Sequence, residues 1–392
     1  MRNIDKVKFK KAVSVAFIVL LVLSIAGILL FAQFKKQGQR LHYNGRYLFA
    51  KAYVEEITFD DTDSLESDDP PYQAKQEMRV RVLNGSHRGE LLKLRNTIEA
   101  IDVYKIILRA KDKVVINYTE NDSGKMTSAH VYELVREDGL LLLLGVFVLS
   151  VLLVCRMKGF KSLLTLVLTA IMIICGLLPL LAAGCEPLSC SILVCSVTIS
   201  ASIFFIIGIN KKSIIACIGT LGGILVSALC AIAIGRLCRI TGLADTEAQM
   251  LAYTNGDLHL DFQSILFASI IIGALGAIMD VSVSMASSME EIRRVNPDIS
   301  KKEFIKSGLN VGRDIIGSMS NTLILAYMGG AFGLVFLLYA QRMSIWNIVN
   351  MEIVAKEIIT ALAGSLGLVW TVPFVILVEA YALVCASGRK RG

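Results

Sequence analysis

The chain has 392 residues, 55% hydrophobic and only 19% charged, with a formal net charge of +7, six prolines and a mean hydropathy of +0.63. Soluble domains run about 45–50% apolar and about 25% charged, so the composition excludes an ordinary soluble domain, a disordered or collagen-like chain and a small disulfide scaffold. It places the chain in a lipid bilayer.

The chain opens with Lys6, Lys8, Lys10 and Lys11, followed by an apolar run, Ala12–Ala32. This pattern is shared by a cleaved signal peptide and a retained anchor. The run exceeds the usual 7–15 residues of a secretory core, which favours the anchor. Residues 1–38 are therefore assigned to a cytoplasmic N-terminus and first span.

Residues 39–137 form a polar stretch with the pattern of strands. Tyr47–Val54, Gln76–Leu83, Glu90–Leu94, Lys105–Leu108 and Lys113–Tyr118 are short, alternating or β-branched, and bounded by turn residues such as Asn84-Gly85; Ser128–Leu134 supplies a last strand. Five or six short strands in this length suit an OB-like barrel, of the oligonucleotide/oligosaccharide-binding type. Asp60–Asp69, followed by Pro70 and Pro71, reads as a solvated loop. It lacks the ligand spacing and glycine of a calcium loop.

From residue 138 the chain turns apolar again. A helix rises about 1.5 Å per residue and the hydrocarbon core is about 30 Å thick. With the first run, eight candidate spans are expected, the others being Gly139–Cys155, Leu163–Ala183, Leu188–Ile209, Ile214–Gly235, Ile265–Ala286, Ile315–Ala340 and Ile358–Ala386. The last is over-long and contains Gly364, Gly367 and Pro373, which predicts a broken or tilted beginning. Lysines and arginines concentrate in alternate loops (Arg156–Lys161, Lys211-Lys212, Arg293–Arg313) and at the C-terminal end, Arg389–Arg391. Both ends are then cytoplasmic and residues 39–137 extracytoplasmic. The positive balance is this retention signal and faces lipid headgroups, which argues against a nucleic-acid partner.

Of the nine cysteines none falls in the polar stretch, and most sit inside spans as small apolar residues. Cys185 and Cys190 flank a short outer loop and are open to oxidation, although unpaired thiols are the simpler reading. The four histidines have no neighbouring cysteine or second histidine, so no metal site or cofactor is expected.

At the sixth span Gly273-Ala-Leu-Gly-Ala-Ile-Met-Asp280-Val-Ser-Val-Ser284-Met-Ala-Ser-Ser288, followed by Gly312-Arg-Asp-Ile-Ile-Gly-Ser-Met-Ser-Asn321-Thr322-Leu-Ile-Leu-Ala-Tyr327, resembles the YibE/F-like membrane proteins of bacteria. The resemblance implies an anchor, an extracytoplasmic β domain and a helical bundle of about eight transmembrane helices in all, in a bacterial cell membrane. It implies no activity or substrate.

A charge at bilayer depth costs about 2.5–3.5 kcal/mol on insertion scales and marks either a pathway or a paired contact. Asp280 in the sixth span and Glu379 in the eighth are such charges. Counted from the cytoplasmic span ends, each lies roughly 10 Å deep, and Asn321 and Thr322 of the seventh span fall at the same level. Asp280, Ser284, Ser287 and Glu291 share one helical face, with Ser282 and Ser288 widening it. The candidate solute or ion site is therefore Asp280, Glu379, Asn321 and Ser284, with Ser287 and Thr322 as secondary members. Two close carboxylates would share a proton, which an arriving cation displaces. The competing reading is hydrophilic glue between helices. Gly219-x-x-x-Gly223 and Gly329-x-x-x-Gly333 read as close-packing motifs, and Ser300 as the cap of a cytoplasmic helix after the Asn296–Asp298 break.

Two functions remain. One is a permease-like protein moving a small solute, proton or cation, with the β domain as gate or capture module. The other is a non-transporting scaffold that presents the β domain to the envelope. A second membrane subunit or a homo-oligomer is compatible with either. No enzyme is expected, because no histidine lies in a span to act as base and no paired aspartates carry a protease signature.

Overall fold

A computed structural model describes residues 48–66, 72–121, 124–254 and 260–391, with Thr254 and residues 384–391 described by backbone alone. The expected first span, Ala12–Ala32, lies outside the described residues. The chain divides into two compact units, one ending at Val154 and the other resuming at Cys155.

The first unit is built on five antiparallel strands: β1 (Leu48–Asp60), β2 (Gln73–Val82), β3 (Leu91–Glu99), β4 (Lys113–Glu120) and β5 (Met126–Leu134). The sheet order is β3-β2-β1-β4-β5, and β3 also lies against β5, so the sheet is a nearly closed barrel of the expected OB-like kind. Alternate residues point inward: Ala52, Val54, Ala74, Val80, Val114 and Ile116 are completely buried. The expected strand Lys105–Leu108 is not one. Its backbone is held by side-chain amides: Gln76 Nε2 donates to the Leu108 carbonyl (3.0 Å), Gln76 Oε1 accepts from Leu108 N–H (2.9 Å), and Asn96 Nδ2 donates to the Ile106 carbonyl (2.7 Å). In the acidic loop, Asp60 accepts hydrogen bonds from Thr62 N–H (3.0 Å), the Thr62 hydroxyl (2.7 Å) and Gln76 Nε2 (2.8 Å). Partial burial raises the Asp60 pKa, and these hydrogen bonds outweigh it and hold the carboxyl below its ordinary value. The loop start is thus an ordered cap for β1.

The helices are α1 (Glu137–Ile171), α2 (Leu178–Ala182), α3 (Pro187–Ile207), α4 (Lys211–Leu237), α5 (Thr246–Thr254), α6 (Phe262–Val295), α7 (Lys301–Gly330), α8 (Phe332–Ala340), α9 (Ile345–Asn350) and α10 (Glu352–Arg391). Among the described residues five stretches are long and apolar enough to cross a membrane, or six if α7 and α8 form one bent span, so the eight-span count is not confirmed. The second and third expected spans fall in one stretch, Glu137–Ala182, which leaves helical geometry at Arg156 (φ 49°, ψ −129°) and passes through a π-helical turn, Met172–Leu177. The seventh span is broken instead: α8 leaves α7 at 59°. The eighth, expected to begin as a broken or tilted segment, is unbroken through Pro373. Gly329 and Gly333 would meet nothing within 4 Å if given a side chain, so they bracket the bend at Ala331 rather than pack a helix. Ser300 caps α7 as expected, accepting from Glu303 N–H at 3.3 Å.

The core of the second unit is the crossing of α4, α6, α7 and α10. A Cβ on Gly223 would lie 2.0 Å from the Thr371 hydroxyl and 2.7 Å from the Gly367 carbonyl, so α4 and α10 touch backbone to backbone. Ser282 donates to the Ala216 carbonyl at 2.6 Å, tying α6 to α4. Glycine positions also set the register. Gly308 abuts Met289 and Ile376, Gly312 abuts Val372 and Met285, and Gly273 and Gly364 both abut Tyr327. Helices α6 and α10 therefore run parallel, with α7 antiparallel to both. At one end of this bundle Lys212 pairs with Glu290 (3.5 Å), and we call it the basic end. At the other, Lys356 binds Asp245 (2.6 Å) and Glu357 (2.9 Å), while Glu352 accepts from Thr241 N–H (2.6 Å) and hydroxyl (2.7 Å), so the start of α10 is anchored to the α4–α5 connection.

Candidate functional site

The face of α6 opposite its core is small and polar. Gly273, Gly276, Asp280, Ser284 and Glu291 are exposed and Ser287 is half-buried, in steps of three or four residues that stack them on one side. Ser282 is not part of it, because it turns inward to α4. Asp280 and Ser284 make no side-chain hydrogen bond or ion pair among the described residues, whereas Ser287 donates to the Val283 carbonyl at 2.7 Å.

Helix α7 supplies the other wall. Tyr327 crosses α6 at Gly273. Two turns before Tyr327 on the same face of α7 is Ser320, and two turns after Gly273 on the same face of α6 is Asp280. In an antiparallel pair these equal steps bring Ser320 and Asp280 to one level of one seam. Both orphan groups of α7 lie along it: the hydroxyls of Ser320 and Tyr327 are buried with no hydrogen-bond partner among the described residues. Asn321 falls at the depth of Asp280 as well, since it lies between Gly312, against Met285, and Tyr327, against Gly273. Asn321 and Thr322 are exposed, and Thr322 donates to the Ser318 carbonyl at 3.0 Å. The sequence reading missed Ser320, whose signal was its seven-residue spacing from Tyr327.

Glu379 stands elsewhere, against the expectation of a shared depth. It is buried, at 5% exposure, three residues beyond Ile376, which shares the Gly308 contact with Met289. Asp280 lies nine residues before Met289. The separation along the bundle is roughly 10–18 Å at the helical rise. The charges that reach Glu379 are those of Arg293, Glu290 and Lys211, so it belongs to the basic end and not to the seam. Depth counted from the apolar span ends misleads here, because α6 and α10 both run past the apolar stretch, to Val295 and Arg391.

In the β domain, His87 carries a cluster that sequence spacing did not reveal. Nδ1 meets Glu90 at 2.8 Å and Nε2 meets Glu120 at 3.0 Å, with the ring edge-on to Tyr118 at 5.6 Å. Burial lowers the His87 pKa, and hydrogen bonds and charge from the two carboxylates outweigh it, holding the imidazole above its ordinary value. With both nitrogens engaged, the cluster ties the β2–β3 turn to the end of β4. All eight described cysteines are free thiols, Cys185 and Cys190 lying within hydrogen-bonding reach of each other.

A β barrel followed by several long apolar helices is the make-up of a membrane protein with an added β domain. The chain matches the YibE/F-like protein family over residues 143–384 and the YibE/F family N-terminal domain over residues 35–134. It belongs to the YibE/F-like family. No curated protein and no solved structure matches it.

Proposed function

We propose that the protein is a permease-like carrier of a small solute or ion rather than an enzyme, oriented with the basic end cytoplasmic and the β domain outside, and that the α6–α7 seam lines its path. The observation supporting this reading is the coincidence of Asp280, an ionisable group in an apolar span with no partner among the described residues, with the orphan hydroxyl of Ser320 at its level. Lipid is a costly neighbour for such a carboxylate. Water, a proton or a cation is a favourable one, with Ser284, Asn321 and Ser320 as neutral ligands. Glu379 drops out of the coordinating set and stands with the charged residues of the basic mouth. Vesicles carrying the full chain and an internal pH indicator test this. An inward gradient of sodium or potassium should alkalinise the lumen of wild-type vesicles and not of Asp280→Asn vesicles. Wild-type protein that behaves like protein-free vesicles contradicts the reading.

The scaffold reading has one observation of its own. After β3 the barrel exposes Ile101, Val103 and Tyr104, beside Tyr72, whose carbonyl accepts from Ala100 N–H at 2.9 Å. Such an apolar tip suits a protein or lipid contact. Under this reading, removing those side chains abolishes the protein's effect in cells while Asp280→Asn leaves it intact.

A further inference from the structure

The bend between α7 and α8 opens a cavity beyond the Asp280–Ser320 level of the seam, which it meets at Tyr327. It measures about 900 Å³ and is lined by α7, α8, α9 and the start of α10, at the end of the bundle opposite the basic one. Ligand sites run about 300–1,000 Å³, mostly apolar with a few polar groups that orient the occupant, and this cavity has that make-up. Its walls include Met328, Leu334, Leu338, Ile358 and Leu362, and its charged members are Glu357 and Arg342. These two are not equivalent. Glu357 is engaged by Lys356 at 2.9 Å, whereas the Arg342 side chain has no ion pair or hydrogen bond among the described residues. Tyr339 and Trp346, at 80% and 82% exposure, flank the arginine in sequence; exposed aromatic rings of this kind sit at headgroup depth. An apolar chamber at bilayer depth, with a free guanidinium at the headgroup boundary, matches a molecule with an alkyl chain and a negative head.

The geometry points to a binding site for one anionic amphiphile, its chain between α8 and α10 and its phosphate or carboxylate on Arg342. This site is centred on the α7–α8 bend, away from Asp280, sharing only Tyr327 with the far end of the seam, and it stands whether or not the chain is a carrier. Intact-mass measurement of the full chain released from neutral-detergent micelles tests it, with four probes: dioleoyl phosphatidylglycerol, oleate, dioleoyl phosphatidylcholine and a long-chain trimethylammonium. One phosphatidylglycerol or one oleate per chain should persist, and which of them persists tells a phosphate head from a carboxylate. Ala361→Trp, which fills the chamber, should remove the bound molecule. Arg342→Gln, at an exposed position that burdens folding little, should lower the preference for the anionic probe over phosphatidylcholine by up to about fivefold, the upper range of an exposed charge pair. Equal retention of all four probes, preference for the cationic one, or an unchanged preference in Arg342→Gln would overturn the proposal, and the last two apply even if Ala361→Trp fails to fold.

Discussion

Gln76 in the β domain and Ser320 in the helical bundle are both withdrawn from solvent, but they are used differently. Gln76, at 0% exposure, engages Leu108 twice and Asp60 once, replacing a strand ladder where Lys105–Leu108 is irregular. The hydroxyl of Ser320 finds no hydrogen-bond partner among the described residues. The contrast extends to each region. In the barrel the only orphan buried side-chain atom among the described residues is Asn117 Oδ1, against Ser191, Ser202, Ser227, Ser320 and Tyr327 among the helices. A buried polar group without a partner costs about 1–3 kcal/mol. The β domain satisfies nearly all such groups within itself. The bundle leaves several without a partner among the described residues, and the proposed path rests on that difference.

The largest effect expected from this contrast is at the bundle's own closure. Gly223→Val places methyl groups where Thr371 and Gly367 already stand and should cost about 3 kcal/mol or more, seen as loss of monodisperse protein in detergent. Gly276→Ala, with nothing within 4 Å of its new methyl, should be neutral or slightly stabilising. If both variants behave alike, the glycine crossing is not what holds α4 to α10. Gln76→Leu comes next, leaving both backbone groups of Leu108 unpaired at a cost of about 3 kcal/mol. Amide exchange at Leu108 in the full chain should accelerate, and unchanged exchange would remove the contrast from the barrel side.

The mild perturbations separate structure from function. Asp280→Asn should leave yield and thermal midpoint close to wild type, because no partner of Asp280 is lost; a collapse of yield would assign it to helix packing. The smallest effect concerns His87. Its folded pKa is raised above the ordinary value of 6.5, so its contribution is complete below that value and is lost as pH rises through the raised folded value. Amide protection of residues 84–90 should fall across that interval in the wild type and be flat in His87→Gln.

What was legible in the sequence follows from range. Alternation and turn chemistry are local, so the barrel strands were readable, as was the Ser300 cap. Lys105–Leu108 was not, because its hydrogen-bond partners Gln76 and Asn96 lie on other strands and a local window cannot see them. The apolar cores of α3, α4, α6 and α10 were readable from hydropathy. The bend at Ala331 and the continuity through Pro373 were not, because neighbouring helices decide both. The polar face of α6 was evident from its spacing. The level of Ser320 beside it needed the Tyr327–Gly273 crossing, and the separation of Asp280 from Glu379 needed the register that Gly308 and Gly312 set.

The central claim is that the Asp280 face of α6 meets water and not acyl chains. Cysteine labelling in intact membranes with a charged, membrane-impermeant maleimide tests it, comparing Ser284→Cys with Leu225→Cys, a 51% exposed position on α4, over the background of the native thiols. The account predicts strong labelling at 284 when the basic side is accessible and none at 225. Labelling at 284 no higher than at 225 would contradict it.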